Sequence, residues 1–479
     1  MMRCLSSALW VFLLLGCAES AIDGRIDICS QVHCDDRDDC TTDVCDAADP
    51  EVCLFFTAPR NTPCNGGGVC DGMGSCIECT FDEQCPDDYN ECTAPRCERG
   101  ACGQGTVADG TACSGGACLE GRCALSSFAV PCTEQGIRNA IAAGGGAYSV
   151  DCEGPTRVST EAEIVINNDV FLGGNGNLTI DGGDDHRVFS VIEGTTVWLD
   201  GISVTGGFAA QSCGGLSNAG KLLLTDFAVL GNAATSGGGG ICNSGTLMLF
   251  NCMVAINQAQ ACAGVFNNGR MTVQNSTVSG NVAISGGGGL CSSGVLTLSR
   301  SAVVANSAER AGGVESSGAL TLSNSTVSSN VAKGTGGGLW NSGAGTVTNS
   351  TLSGNQAGSD GAVIRNLGAL VIRNSLLDGD CSGDVAAISS EGYNMESPAD
   401  TCGLDHATDE LEVQAGDLGL EPLGNNGGPT STHALLPGSL AVDRIPEAAC
   451  ELDRDQRGIA RPQGAMCDIG AFELEGGGT

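Results

Sequence analysis

The chain has 479 residues, a formal net charge of -35 and 29 cysteines. The length admits several domains and the cysteines point to an oxidising compartment, while the acidity disfavours nucleic acid or an anionic lipid surface as partner, since both attract basic patches. The charge is uneven: residues 29–123 carry 18 acidic and 5 basic side chains, residues 376–479 carry 20 and 4, and residues 213–375 only 4 and 7. A nearly uncharged stretch joins two acidic ends, and solubility explains most of that acidity.

Residues 1–16 hold one charge, Arg3, and an apolar run too short to span a bilayer, the pattern of a secretory signal. They lead into Leu14-Leu15-Gly16-Cys17, which resembles the lipobox of bacterial lipoproteins. That resemblance implies cleavage before Cys17, acylation of Cys17 and a membrane-anchored linker over 17–28. Ala18-Glu19-Ser20 is the alternative, an ordinary cleavage site that yields a secreted protein.

Sixteen cysteines between Cys29 and Cys123 fall into two groups of eight, over 29–76 and 79–123. Phrases such as CTTDVC and CTAPRC, or TPCNGGGVC and TACSGGAC, occupy equal places in the two groups, which marks an internal duplication. Each unit has too few apolar residues for a core, so disulfides are expected to hold it together, with a connectivity that spacing does not fix. Cys76-Ile77-Glu78-Cys79 has zinc-like spacing but no second pair to complete a site. A stiff spacer or contact surface is the expected role.

An N-terminal cap follows over 125–160, where CTEQGIRNAIA puts Ile137, Ala140 and Ile141 on one helical face. Over 161–375 the chain repeats. Two weaker coils, 163–182 and 188–207, precede apolar anchors at Leu216, Ile241, Val265, Leu290, Val314, Leu339 and Val363, alternately 25 and 24 residues apart. Six and eight residues past an anchor come apolar pairs such as Leu222/Leu224 and Leu296/Leu298, the alternation of a strand with one buried face. Valine or leucine recurs thirteen residues past the anchor, and asparagine three later: Asn232, Asn257, Asn281, Asn306, Asn330 and Asn355. The pattern predicts three short strands per coil, hence an all-β parallel β-helix, with asparagines stacked at a corner in the left-handed conformation. A βαβ unit needs about 30 residues and does not fit the period. Raw strand edges at both ends require caps, the second supplied by 376–479.

Nearest-neighbour pairing joins Cys132 to Cys152, Cys381 to Cys402 and Cys450 to Cys467. Within the coils, Cys213 to Cys242 and Cys262 to Cys291 are equivalent relations. With a straight chain the partners would lie ~13 Å apart, beyond disulfide reach, so these bonds require the glycine run to fold a corner. Cys252 is left over as a buried thiol.

A polysaccharide-degrading site on such a fold uses two or three convergent carboxylates. The regular coils hold only Asp226, Glu309, Glu315 and Asp360, at unmatched offsets, and Glu309 with Lys333 reads as a surface ion pair. The best cluster is Asp181, Asp184, Asp185, His186 and Arg187, at the corner between the two early coils, where solvated turn residues are the ordinary explanation. Gly173, Gly174 and Gly176 lack the strand-turn-helix context of a phosphate loop. No catalytic residue, metal site or cofactor is expected.

The GG-apolar phrase with its later asparagine resembles the repeats of polymorphic outer-membrane proteins. Two tail phrases, GNNGGPTSTHALLPGSLAVD and DQRGIARPQGAMCDIGAFE, look like the closing region of bacterial choice-of-anchor Q domain proteins, a resemblance covering about 125–473. It implies a right-handed β-helix on an exported protein held at the outer membrane or cell surface. The expectation is therefore a non-enzymatic adhesive scaffold that binds a glycan or protein partner, with a β-helix lyase or hydrolase near Asp181–Arg187 as the alternative.

Overall fold

The structure is a computed structural model that describes residues 41–45, 53–57, 69–70, 76–77, 93–98, 101–106, 112–113, 116–119, 122–125 and 128–475. Cys17 lies outside them, as does most of the cysteine-rich stretch. The chain divides into two units, Met1–Ala124 and Leu125–Thr479.

The described parts of the first unit are short antiparallel pairs and one small three-stranded sheet, Ala112–Cys113, Gly116–Leu119 and Arg122–Leu125. Thr41–Cys45 pairs with Cys53–Thr57 and Thr93–Glu98 with Ala101–Thr106, which sets Cys45 opposite Cys53 and Cys97 opposite Cys102. These are the fourth and fifth cysteines of each group of eight, so the duplicated phrases fold alike at this point. Val69–Cys70 and Cys76–Ile77 form a smaller pair of the same kind.

The second unit is a parallel β-helix built from a 21-stranded, a 10-stranded and a 7-stranded sheet. At its start the helix Glu134–Ala143 is capped by Thr133, whose side chain accepts from the Gly136 amide, and it buries Ile137, Ala140 and Ile141. Those residues join Val150, Ile164 and Leu172 in the main core, closing the first rung.

A regular coil contains four strand segments, one more than the spacing predicts. The coil from Leu216 runs through Leu216–Asn218, Lys221–Thr225, Ala228–Leu230 and Ala233–Gly237. The fourth segment escapes a search for large apolar residues because its inward side chain is alanine: Ala234, Ala259, Ala283 and Ala308 form a satellite cluster. Only a methyl fits, because the glycine doublet that precedes the anchor of the same coil presses against this segment. A Cβ on Gly239 would lie 2.3 Å from the Gln258 carbonyl oxygen, and one on Gly240 2.9 Å from Asn257 Nδ2. The doublets therefore serve close approach.

The inward columns stack like on like, Leu222 on Leu247, Met271, Leu296 and Leu320. Asn232, Asn257, Asn281, Asn306, Asn330 and Asn355 are buried and pass Nδ2–H to the next Oδ1 at 2.9–3.0 Å. The left-handed conformation falls one residue earlier than expected, on Gly231, Ile256, Gly280, Ala305, Ser329 and Gly354. The asparagine keeps ordinary backbone geometry so that its amide can point inward. A second ladder, Asn218 to Asn243 to Asn267, repeats the device at 2.7 Å two residues past the anchor.

Cys213–Cys242 and Cys262–Cys291 bridge successive coils with Cα separations of 5.2 and 5.3 Å. The corner that brings them together is left-handed at Cys213, Gly238, Cys262 and Gly287 alike. Glycine is required opposite each bridge, since a Cβ on Gly238 would lie 2.4 Å from Cys242 Sγ. Cys132–Cys152, Cys381–Cys402 and Cys450–Cys467 are also bonded, and Cys252 is free and buried.

Past residue 375 the sheet continues on shorter rungs, ending with Met395–Ser397 paired to Leu376–Asp378. Cys402 and Leu404 enter the main core beneath them. The chain then returns along the outside of the rod. Thr430 Oγ1 reaches the Arg300 carbonyl at 3.2 Å, His433 Nε2 lies 2.9 Å from Ser328 Oγ, and the Ala471 amide donates to Thr351 Oγ1 at 3.0 Å. The closing region is thus both a lid and a strap.

Candidate functional site

The Asp181–Arg187 corner is consumed by structure. Asp181 is buried, its Oδ2 lies 2.7 Å from Arg157 Nε, and its Oδ1 accepts from the Gly183 amide at 3.0 Å. The hydrogen bond from Arg157 holds this carboxyl below the usual carboxylate range. His186 Nε2 lies 2.9 Å from Thr160 Oγ1. Arg187 pairs with Glu163 at 2.8 Å and donates to the carbonyls of Cys213 and Ser212, lacing one coil to its neighbours on both sides. Asp184 and Asp185 are exposed turn residues. Gly173, Gly174 and Gly176 lie within the strand Val170–Asp181. Among the described residues no group of three His, Cys, Asp or Glu side chains is arranged to hold a metal.

A different cluster stands on the outer face of the anchor strands. In the 10-stranded sheet Glu315, Trp340 and Arg365 occupy one outward column, each in register with the next. Two residues from the preceding corners complete it: Arg310 pairs with Glu315 at 3.0 Å and Asp360 with Arg365 at 2.7 Å. Arg365 also donates to Ser382 Oγ at 3.2 Å. Both guanidinium groups lie over the Trp340 ring, 5.4 and 5.8 Å from its centroid, within cation–π range. The indole rests against a glycine corner, where a Cβ on Gly336 would be 3.3 Å from Trp340 Cε3. Higher in the same column Phe266 sits between Cys242 and Cys291. Glu309 and Lys333, expected to pair, do not appear among the ion pairs that form on this face.

A one-residue slip hides this cluster from the repeat pattern. With Val363 as the seventh anchor, Arg365 stands two places past it and out of line with Trp340. The structure pairs Ile364 with Leu339, which puts Arg365 directly in the column. Val363 and Ile364 are both apolar and fully buried, so hydrophobicity does not choose between them. The asparagine two past the anchor does: Asn218, Asn243, Asn267, Asn341 and Asn366 share that place only when Ile364 is the anchor.

The fold class is therefore a parallel β-helix with an aromatic and charged outer column. No known protein family matches the chain, and no curated protein matches it. Among solved structures it is similar to the crystal structure of pectate lyase Pel9A, at 15% identity and a TM-score of 0.40, over 70% of this chain and 90% of that one. Among the described residues no helix is long and apolar enough to cross a membrane.

Proposed function

We propose that this protein is an exported surface scaffold whose rigid β-helix presents a glycan-binding face and catalyses no reaction on it. The Glu315–Trp340–Arg365 column carries the reading. It gathers an aromatic ring, two guanidinium groups, two carboxylates and a hydroxyl on a fixed sheet, a group set suited to the apolar faces and hydroxyls of sugars. The disulfides fit an oxidising, exported setting. Attachment through an acylated Cys17, and kinship with choice-of-anchor Q proteins, rest on the sequence resemblances alone. The lyase or hydrolase alternative needs convergent free carboxylates, whereas both oxygens of Asp181 already have partners.

Incubating the purified chain with immobilised neutral and acidic glycans separates these readings. Retention without turnover is the expected outcome; release of shortened products installs the enzymatic reading instead, and failure to bind any glycan removes the glycan reading. Mass spectrometry of the mature N-terminus is expected to find an acylated Cys17.

A further inference from the structure

We propose, resting on the glycan reading above, that the ligand is an uncharged, extended polysaccharide lying parallel to the rod axis across Phe266 and Trp340. The two rings share one column, with Cys291 and Glu315 between them. Three rungs separate them, about 14 Å at the usual inter-strand spacing. A chain crossing the rod along a strand meets one ring, and a chain running along the axis meets both.

The charges exclude an ionic ligand. Arg310 is matched by Glu315 and Arg365 by Asp360, so the column carries two groups of each sign and no net charge. An acidic saccharide would have to displace a carboxylate from its guanidinium; hydroxyls can bond to both without separating them. The rings are also held in place before binding. The residues flanking Phe266 are each fixed in a disulfide, to Cys213 and Cys262, and the Trp340 ring lies within cation–π range of Arg310 and Arg365, so little side-chain freedom is lost on binding.

The test is retention of the full chain on cellulose, chitin and mannan against pectate and alginate, followed by titration of the variants Trp340→Ala and Phe266→Ala. Phe128→Ala, at an exposed aromatic elsewhere, is the control. We expect binding to a neutral polysaccharide that is unchanged between about 0.05 and 0.5 M salt. Each column variant should weaken it roughly tenfold while the control binds like wild type. Thermal melts confirm that the variants fold, and Trp340→Phe should keep part of the affinity. If a neutral polysaccharide binds but both column variants match wild type, this inference fails and the general glycan reading stands. Preference for pectate or alginate with steep salt dependence overturns the uncharged ligand, and retention on none of the five overturns both proposals.

Discussion

The regular coils and the closing region bury polar groups in opposite ways. In the coils the buried groups are neutral, and in the main asparagine ladder each is satisfied by its own copy one rung away, as Asn281 accepts from Asn257 and donates to Asn306. In the closing region buried ionic groups join the neutral ones, and each charged pair occurs once. Arg461 and Glu473, with fully buried side chains, pair at 2.9 Å, and Asp455, equally buried, pairs with Arg457 at 2.8 Å. Arg457 in turn lies 3.6 Å over the Phe472 ring. A repeat can offer every buried amide the next copy of itself, but the last coil has no next copy. A non-repeating segment must close it with partners that fit in one arrangement, and charges enforce that choice.

The largest effect should come from removing one charge of that closure. Arg461→Ala leaves Glu473 buried and unpaired, a loss of about 3–5 kcal/mol. Hydrogen exchange should show the loss confined to the strap and the coils it touches, with protection kept in residues 214–280. Arg461→Met combined with Glu473→Leu should recover most of the stability. Uniform loss of protection along the rod would mean that the two regions are one cooperative unit and that the contrast between them is only chemical.

Acidity sharpens the same contrast. Burial pushes Asp468 from the ordinary 3.8 up to about 6, although its oxygens accept from the amides of Leu474 and Asp443. Because the folded value is the higher one, the folded protein holds this proton more tightly. The stability it contributes is complete below 3.8 and declines as the pH rises to about 6. A rise of that size corresponds to at most about 3 kcal/mol. Glu396, pushed up by burial on the last rung, acts with the same sign. Burial lowers His433, so its protonation opposes folding as the pH falls through the ordinary histidine range. Urea midpoints measured across this window should fall from acid to neutral pH for the wild type and fall less for Asp468→Asn. The regular coils, with four acids in 213–375, should contribute almost nothing to that slope.

Those four acids also explain what could be read in advance. A fixed period, alternation at Leu222/Leu224 and a repeating asparagine specify parallel stacked coils, because each is imposed by contact with an identical neighbour. What the period does not show is anything whose signal is small or shared with a neighbour. The alanine segment carries no hydrophobic contrast. The Val363–Ile364 pair hides the register that assembles the Trp340 column. The strap is invisible for a different reason: Thr326, Thr351 and Asn374 look like ordinary outward ladder residues until Gln456, Ala471 and Gly470 cover them. Such contacts link residues some 100 positions apart and leave no local pattern.

The smallest effect tests whether the rod really is a stack of interchangeable copies. Cys252 occupies the place that Ser276, Ser301, Ser325 and Ser350 hold in later coils. Its amide donates to Ser276 Oγ at 2.9 Å and its Sγ lies 3.3 Å from the Phe250 carbonyl, matching the 2.7 Å bond from Ser276 Oγ to Gln274. Cys252→Ser should therefore shift stability by no more than about 1 kcal/mol, since the amide bond to Ser276 is untouched and the hydroxyl can donate to the Phe250 carbonyl as Ser276 does to Gln274. The native thiol, pushed up to about 12 by burial, should resist alkylation until the coil unfolds. Ser301→Ala is the counterpart: it strips the acceptor from the Ser276 amide and should cost about 1–3 kcal/mol. Equal losses for the two variants in thermal melts would mean that this column is held by packing alone, and the hydroxyl ladder would then be a consequence of the stacking with no part in its stability.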